Sequence, residues 1–212
     1  CRKSIENNHE EILLDVNQWA ESLSYCSIGG FVVSPDHRYV AFSYDDNGSE
    51  YFTIVVKNIA TGELTADSIH DTDGSIVWTN DVNGFYYLLR DSSFRSYKTM
   101  YHRLGNLNES DLCVWEETDE AFWLNINASR DRTVLLISSE SSTTSETLTV
   151  DLNFGNKKVE IFQPRMQGIQ YTVDFHKEDV FLKTNEKAKN YKILQSKNLE
   201  ILNWKEIVSE KN

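Results

Sequence analysis

The segment FVVSPDHRYVAF at residues 31–42 has two short apolar runs on either side of a Pro-Asp turn. This pattern is typical of a β-hairpin, because apolar runs favour strands and Pro and Asp favour tight turns. The arrangement recurs three times, and the acidic residues of successive turns are 45, 50 and 47 residues apart. These turn acids are Asp36, Asp81, Asp131 and Glu178. The period indicates that the chain is built from repeated units.

Two further apolar segments follow each hairpin, so each unit is predicted to contain four strands. The predicted units span residues 31–69, 75–116, 122–163 and 169–208. Four-stranded units of this length are typical of β-propeller blades, which bury their open faces against neighbouring blades. We therefore predict an all-β fold, a partial β-propeller of about four antiparallel four-stranded blades. A β-sandwich also has short strands at regular spacing and is the alternative.

The first 30 residues have a different pattern. Asn8 followed by Glu11 matches a capping box, and the apolar residues that follow have helical spacing. We predict one short amphipathic helix over residues 10–23 with a buried apolar stripe. In the repeats, the first two strands of each unit should supply the core. The residues expected to be buried are Trp78, Phe85, Tyr87, Leu124, Ile126, Leu136, Tyr171 and Phe181.

Composition excludes several classes of function. The net charge is −12 and basic residues are scattered, which argues against a nucleic-acid partner. No apolar run reaches 18 residues, so no membrane partner is expected. Three cysteines without a C-x-x-C pair suggest reduced thiols and a cytoplasmic location. The acidic surface serves solubility or attracts basic peptides.

No catalytic motif is visible in the sequence. The G-x-S-x-G elbow of α/β-hydrolases is missing, and the serine-rich segment 138–146 is expected to bond turn backbone. The five histidines are far apart and none has metal-ligand spacing. Glu116 and Glu117 should point to opposite faces of a strand, so a solvated edge is expected there. We predict no catalytic residue, no cofactor and no metal site in this chain.

Several segments nevertheless resemble the propeller domain of the oligopeptidase B (protease II) branch of the prolyl oligopeptidase family of serine peptidases. The similar segments occur in the same order and cover nearly the whole chain. They are residues 10–17, 27–38, 57–63, 77–81, 101–105, 115–120, 141–146, 164–174 and 190–192.

The resemblance implies a seven-bladed propeller joined to an α/β-hydrolase domain. In that family, the hydrolase domain holds the catalytic serine, aspartate and histidine and the carboxylates that select Arg or Lys. No position of this chain corresponds to them, so the chain alone is expected to be inactive. Its implied role is to restrict access to the active site, and its implied partners are the hydrolase domain of the same polypeptide and short basic peptides.

Arg165, Asp174 and His176 flank a predicted inner strand and are candidate contacts with the hydrolase domain, although ordinary surface residues are the alternative. Four blades of a ring of seven would leave two faces uncovered, so the isolated chain is expected to self-associate. A free-standing propeller fragment that acts as a protein-binding or assembly module is the rival interpretation.

Overall fold

The computed structural model describes residues 1–153, 158–197 and 203–211, and almost all regular structure in these ranges is β-strand. Their helical segments are α1 Val16–Ala20 and one 3-10 turn, Asn108–Ser110. The strands are β1 Arg2–Lys3, β2 Glu10–Glu11, β3 Ser27–Val33, β4 Tyr39–Asp45, β5 Phe52–Asn58, β6 Leu64–Trp78, β7 Gly84–Arg90, β8 Ser96–Arg103, β9 Leu112–Glu116, β10 Trp123–Ala128, β11 Val134–Glu140, β12 Ser145–Asp151, β13 Glu160–Gln163, β14 Tyr171–His176, β15 Asp179–Thr184, β16 Lys192–Ser196 and β17 Lys205–Val208.

These strands form antiparallel sheets in chain order: the hairpin β1–β2, a seven-stranded sheet β3–β9, and the four-stranded sheets β10–β13 and β14–β17. The all-β prediction is confirmed, and the four-stranded sheets are consistent with a propeller domain. The described sheets do not close into a ring, so the number of blades stays a prediction.

The seven-stranded sheet turns a corner within β6. The first part of β6 pairs with β5, and its last residues pair with β7, as in Trp78 opposite Phe85. Gly74 lies at the corner with φ of 92°, and its carbonyl accepts a hydrogen bond from the Ser43 hydroxyl at 3.0 Å. A Cβ on Gly30 would clash with that carbonyl, so glycine is required at the crossing. β6 is thus the last strand of one four-stranded group and the first of the next.

The predicted helix over residues 10–23 is wrong in extent. The helix begins after Asp15, whose carboxylate accepts hydrogen bonds from two first-turn amides, and it spans only Val16–Ala20. Glu10–Glu11 pair with β1 instead, and Asn8 has φ of 57° in the preceding turn. None of the helical residues is fully buried, because a single turn is too short to form an apolar stripe.

The core lies between successive sheets, where apolar side chains from facing strands interlock. Seven of the eight residues predicted to be buried are buried. Phe181 is the exception, because Val180 and Leu182 on either side of it face the core and side chains alternate along a strand. Phe181 therefore lies half-buried on the opposite face of the fourth sheet.

Candidate functional site at the crossover end of the sheets

Every group of four strands has two distinct ends. Segments 117–122 and 164–170 run from the last strand of one sheet to the first strand of the next. We call the end that carries these segments the crossover end. The tight turns between first and second strands, such as 129–133, lie at the other end, the hairpin end. Because antiparallel strands reverse direction each time, the turn 141–144 also lies at the crossover end.

Arg165 is the centre of a charged network at the crossover end. Its Nη2 atom lies 2.6 Å from Glu117 Oε2 and 2.9 Å from Glu146 Oε1. Its guanidinium also stacks 3.9 Å from the centroid of the Phe122 ring. Glu117 and Phe122 belong to the first crossover segment and Glu146 to β12, whereas Arg165 lies in the second crossover segment. Arg165 therefore connects adjacent sheets. The Arg165 side chain keeps 30% of its surface exposed and stays reachable from outside.

Glu117 was expected at a solvated edge, and this expectation is wrong. The residue is 4% exposed, because β9 ends at Glu116 and the chain then turns inward. Its carboxylate accepts hydrogen bonds from Ser139 Oγ at 2.6 Å and from the Asp119 amide at 2.9 Å. Although burial opposes ionisation, the hydrogen bonds from Ser139 and Arg165 lower the pKa of Glu117. Glu116 remains exposed, as predicted, and pairs with Lys98.

Arg95 fixes the first crossover segment and was missed by the sequence analysis. Its Nη1 atom donates to the carbonyl oxygens of Glu117, Asp119 and Phe122 at 3.3, 3.1 and 3.1 Å. Its Nε atom lies 2.9 Å from Asp91 Oδ2. Only 8% of Arg95 is exposed, so it acts as a structural clamp. No motif in the sequence marks this role, because the carbonyl oxygens that Arg95 binds are more than twenty residues away.

Asp174 and His176 do not meet Arg165. They lie toward the far end of β14, about 10–17 Å along the strand from its start, whereas Arg165 precedes that strand. Asp174 accepts a hydrogen bond from the Arg130 amide at 2.8 Å and so connects to the hairpin turn of the third sheet. His176 is exposed. The three candidates therefore lie at opposite ends and form no single site.

The acidic hairpin turns are capped alike in three of the four units. In each, a Ser or Thr hydroxyl donates to the turn aspartate two residues later: Ser34 to Asp36 at 2.7 Å, Thr79 to Asp81 at 2.6 Å and Ser129 to Asp131 at 2.9 Å. The fourth turn differs, because Glu178 has no such donor before it. Instead, the Lys177 amide donates to Asp131 at 2.7 Å and links the third and fourth turns.

His102 is a fully buried ionisable group, and no motif in the local sequence marks it. Its Nε2 lies 2.8 Å from Asp67 Oδ1 and its Nδ1 lies 2.8 Å from Asp111 Oδ1. Tyr87 donates to the other oxygen of Asp111 at 2.8 Å. Although burial favours the neutral ring, hydrogen bonds to Asp111 and Asp67 raise the pKa of His102 to about 9. This cluster is sealed from solvent and fastens β8 to β6 rather than facing a substrate.

Two hydroxyls of the serine-rich segment hydrogen-bond to backbone atoms, as predicted. Ser141 Oγ donates to the Thr144 carbonyl and accepts from the Thr144 amide, and Ser145 Oγ donates to the Tyr171 carbonyl. Within the described ranges, no group of three or more His, Cys, Asp or Glu residues could hold a metal ion. The described part also contains no helix that is long and apolar enough to cross a membrane.

Comparisons with known proteins match the whole chain. The family model described as the N-terminal β-propeller domain of prolyl oligopeptidase matches residues 1–212. Protease 2 of Moraxella lacunata is 31% identical over 196 residues, which are 92% of this chain and 28% of that protein. Dipeptidyl aminopeptidase BI of Pseudoxanthomonas mexicana is 32% identical over 187 residues, which are 87% of this chain and 26% of that protein.

Among solved structures, oligopeptidase B from Leishmania major matches with a TM-score of 0.91 and 32% identity, over 99% of this chain and 30% of that one. Oligopeptidase B from Trypanosoma brucei with covalently bound antipain, in a closed form, matches with a TM-score of 0.88 and 31% identity. The match covers 100% of this chain and 30% of that one. The chain therefore spans between a quarter and a third of the length of these proteins.

Proposed function

Since this chain belongs to the family of N-terminal β-propeller domains of prolyl oligopeptidases, we propose that it is the non-catalytic propeller segment of an oligopeptidase B-like serine peptidase. The observation that carries the proposal is the likeness to two oligopeptidase B structures along essentially the entire chain. In this role the segment restricts which peptides reach the active site of a hydrolase domain. Residues 31–69, 75–116, 122–163 and 169–208 would be four blades of a ring of seven.

In this proposal the crossover end faces the hydrolase domain. Arg165 is then the candidate contact, because it is partly exposed there and is held rigidly by Glu117 and Glu146. Asp174 and His176 lie toward the hairpin end and fall outside this proposed contact.

The proposed substrates are short peptides that are cleaved after Arg or Lys. The chain carries a net charge of −12, and segments at the crossover end contribute Asp46, Asp71, Asp73, Asp119 and Glu120. Negative charge around the entrance would raise the local concentration of cationic peptides and speed their association. A cytoplasmic location is proposed because none of the three cysteines forms a disulfide.

The gene sequence beyond Asn212 tests this proposal directly. A downstream G-x-S-x-G motif followed by Asp and His is expected, whereas an immediate stop codon would favour a free-standing binding module.

A second test replaces the matching segment of Leishmania oligopeptidase B with this chain. The rate at which the chimera cleaves a short peptide that contains Arg is compared with the rate at which it cleaves a folded protein. A chimera that cuts proteins as well as a propeller-deleted enzyme does would refute the access role.

A further inference from the structure

A cleft of about 170 Å³ opens at the crossover end between the third sheet, β10–β13, and the fourth, β14–β17. Its walls include Glu140, Gln170, Tyr171, Lys183 and Tyr191. Because one water occupies about 30 Å³ of liquid, the cleft has room for several ligand atoms. The cleft is separate from the Arg165 network, which lines none of it.

Glu140 brings an uncompensated negative charge to this cleft. It is the last residue of β11, opposite Trp123 on one side and Ser145 on the other. The side chain is open to solvent, and no cation or hydrogen-bond donor of the described residues contacts its carboxylate. Partial removal of water by the surrounding sheet nevertheless raises the pKa of Glu140. A cation that bound beside this carboxylate would therefore relieve an existing electrostatic cost.

Lys183 brings a positive charge to the same cleft. It lies on β15 opposite Thr172, and its ammonium is 4.8 Å from the centroid of the Tyr191 ring. Within the described ranges, Lys183 forms no ion pair, either with Glu140 or with another carboxylate. The cleft thus contains two opposite charges that do not neutralise each other by direct contact.

The wall beside Lys183 is held in place. The Tyr191 hydroxyl donates to Gln170 Oε1 at 2.6 Å, and Gln170 Nε2 donates to the Ser142 carbonyl at 3.2 Å. Tyr191 itself has φ of 63°, a left-handed conformation that costs energy in a residue other than glycine. Such conformations persist where the surroundings fix them and are frequent at binding sites.

We propose that this cleft binds a short zwitterionic peptide, of dipeptide size, with its ammonium group on Glu140 and its carboxylate on Lys183. A zwitterion can pair with both protein charges at once, whereas a singly charged ligand can pair with only one of them. In a free amino acid the two charges are separated by one carbon, whereas a dipeptide places a peptide unit between them. The dipeptide suits protein charges that are too far apart to pair. The inference goes beyond the proposed access role and stands on the cleft alone.

The test is an NMR titration of the 212-residue chain with four probes: Gly-Leu, N-acetyl-Gly-Leu, Gly-Leu amide and leucine. Acetylation removes the ammonium charge and amidation removes the carboxylate charge. We expect Gly-Leu to bind about tenfold more tightly than either blocked peptide, as the loss of one charge-assisted hydrogen bond predicts. Leucine should bind more weakly than Gly-Leu.

Two variants assign the charges. Glu140→Gln should remove the preference for the free ammonium and keep the preference for the free carboxylate, and Lys183→Gln should do the reverse. Glu63→Gln, which neutralises an exposed carboxylate in the β5–β6 turn at the hairpin end, is the control and should leave the Kd unchanged. Equal affinity for all probes, leucine binding as tightly as Gly-Leu, or an equal effect of Glu63→Gln would each overturn the proposal. Binding needs no peptidase activity, so its failure is distinct from failure of the access role.

Discussion

Raising the pH should destabilise this domain through a single buried histidine, His102. Both ring nitrogens of His102 lie 2.8 Å from carboxylate oxygens, of Asp67 and Asp111. Because carboxylates only accept hydrogen bonds, both nitrogens must donate, and the ring is therefore protonated. The side chain has no exposed surface, so solvent does not screen this charge.

The magnitude follows from the difference between the folded and unfolded pKa values. The folded pKa is about 9, and the ordinary value is 6.5. The folded state therefore binds more protons between these values, and stability falls as the pH rises. Since each pKa unit corresponds to about 1.4 kcal/mol, the loss is on the order of 3 kcal/mol. The stabilisation is complete below pH 6.5 and is lost as the pH passes about 9.

Urea unfolding at pH 6.0 and pH 9.5 measures this loss. The wild-type chain should lose about 3 kcal/mol of unfolding free energy between the two pH values. His102→Gln should be less stable at pH 6.0 and should show little further change at pH 9.5. His37→Gln, which alters an exposed turn histidine, should lose as much unfolding free energy between the two pH values as the wild type does. The same loss in His102→Gln, or a wild-type stability that rises with pH, would refute the protonated cluster.

Four further outcomes are expected. The chain alone should not hydrolyse fluorogenic Arg or Lys peptides; turnover that disappears in Ser141→Ala would show that the serine-rich turn was misjudged. Trp78→Ala should cost about 3–5 kcal/mol in urea unfolding, whereas Phe94→Ala, at a side chain that is 44% exposed, should cost far less; equal costs would contradict the assigned core. Arg165→Met should lower stability by about 3 kcal/mol because it leaves the buried Glu117 carboxylate uncompensated, and Arg165→Met combined with Glu117→Gln should recover part of that loss. Light scattering over a range of concentrations should detect a dimer, because no further sheet of the described residues covers the outer face of the fourth sheet, whereas Leu13 and Trp19 already pack on the first; a strictly monomeric, folded chain would mean that the open face tolerates solvent.

Local sequence patterns determined most of the strands and the hydroxyl caps of three of the four hairpin turns. A strand needs only alternation over a few residues, and the turn aspartates bond to hydroxyls two residues before them, as Asp36 does with Ser34. The same local reasoning failed for residues 10–23, where Asp15 caps a single turn and the preceding residues pair as strands. It also failed for Phe181, because an apolar residue on a partly covered sheet fits either face.

The charged clusters were decided only by the tertiary structure. Arg165 meets Glu117 across 48 residues, and His102 meets Asp67 across 35 residues. The cleft likewise joins Glu140 on one sheet with Lys183 on the next. A repeat period predicts that sheets will stack, but it does not specify which irregular crossover segments meet when they do. Hydrogen bonds within a hairpin have fixed sequence spacing, whereas contacts between sheets depend on how those sheets pack in three dimensions.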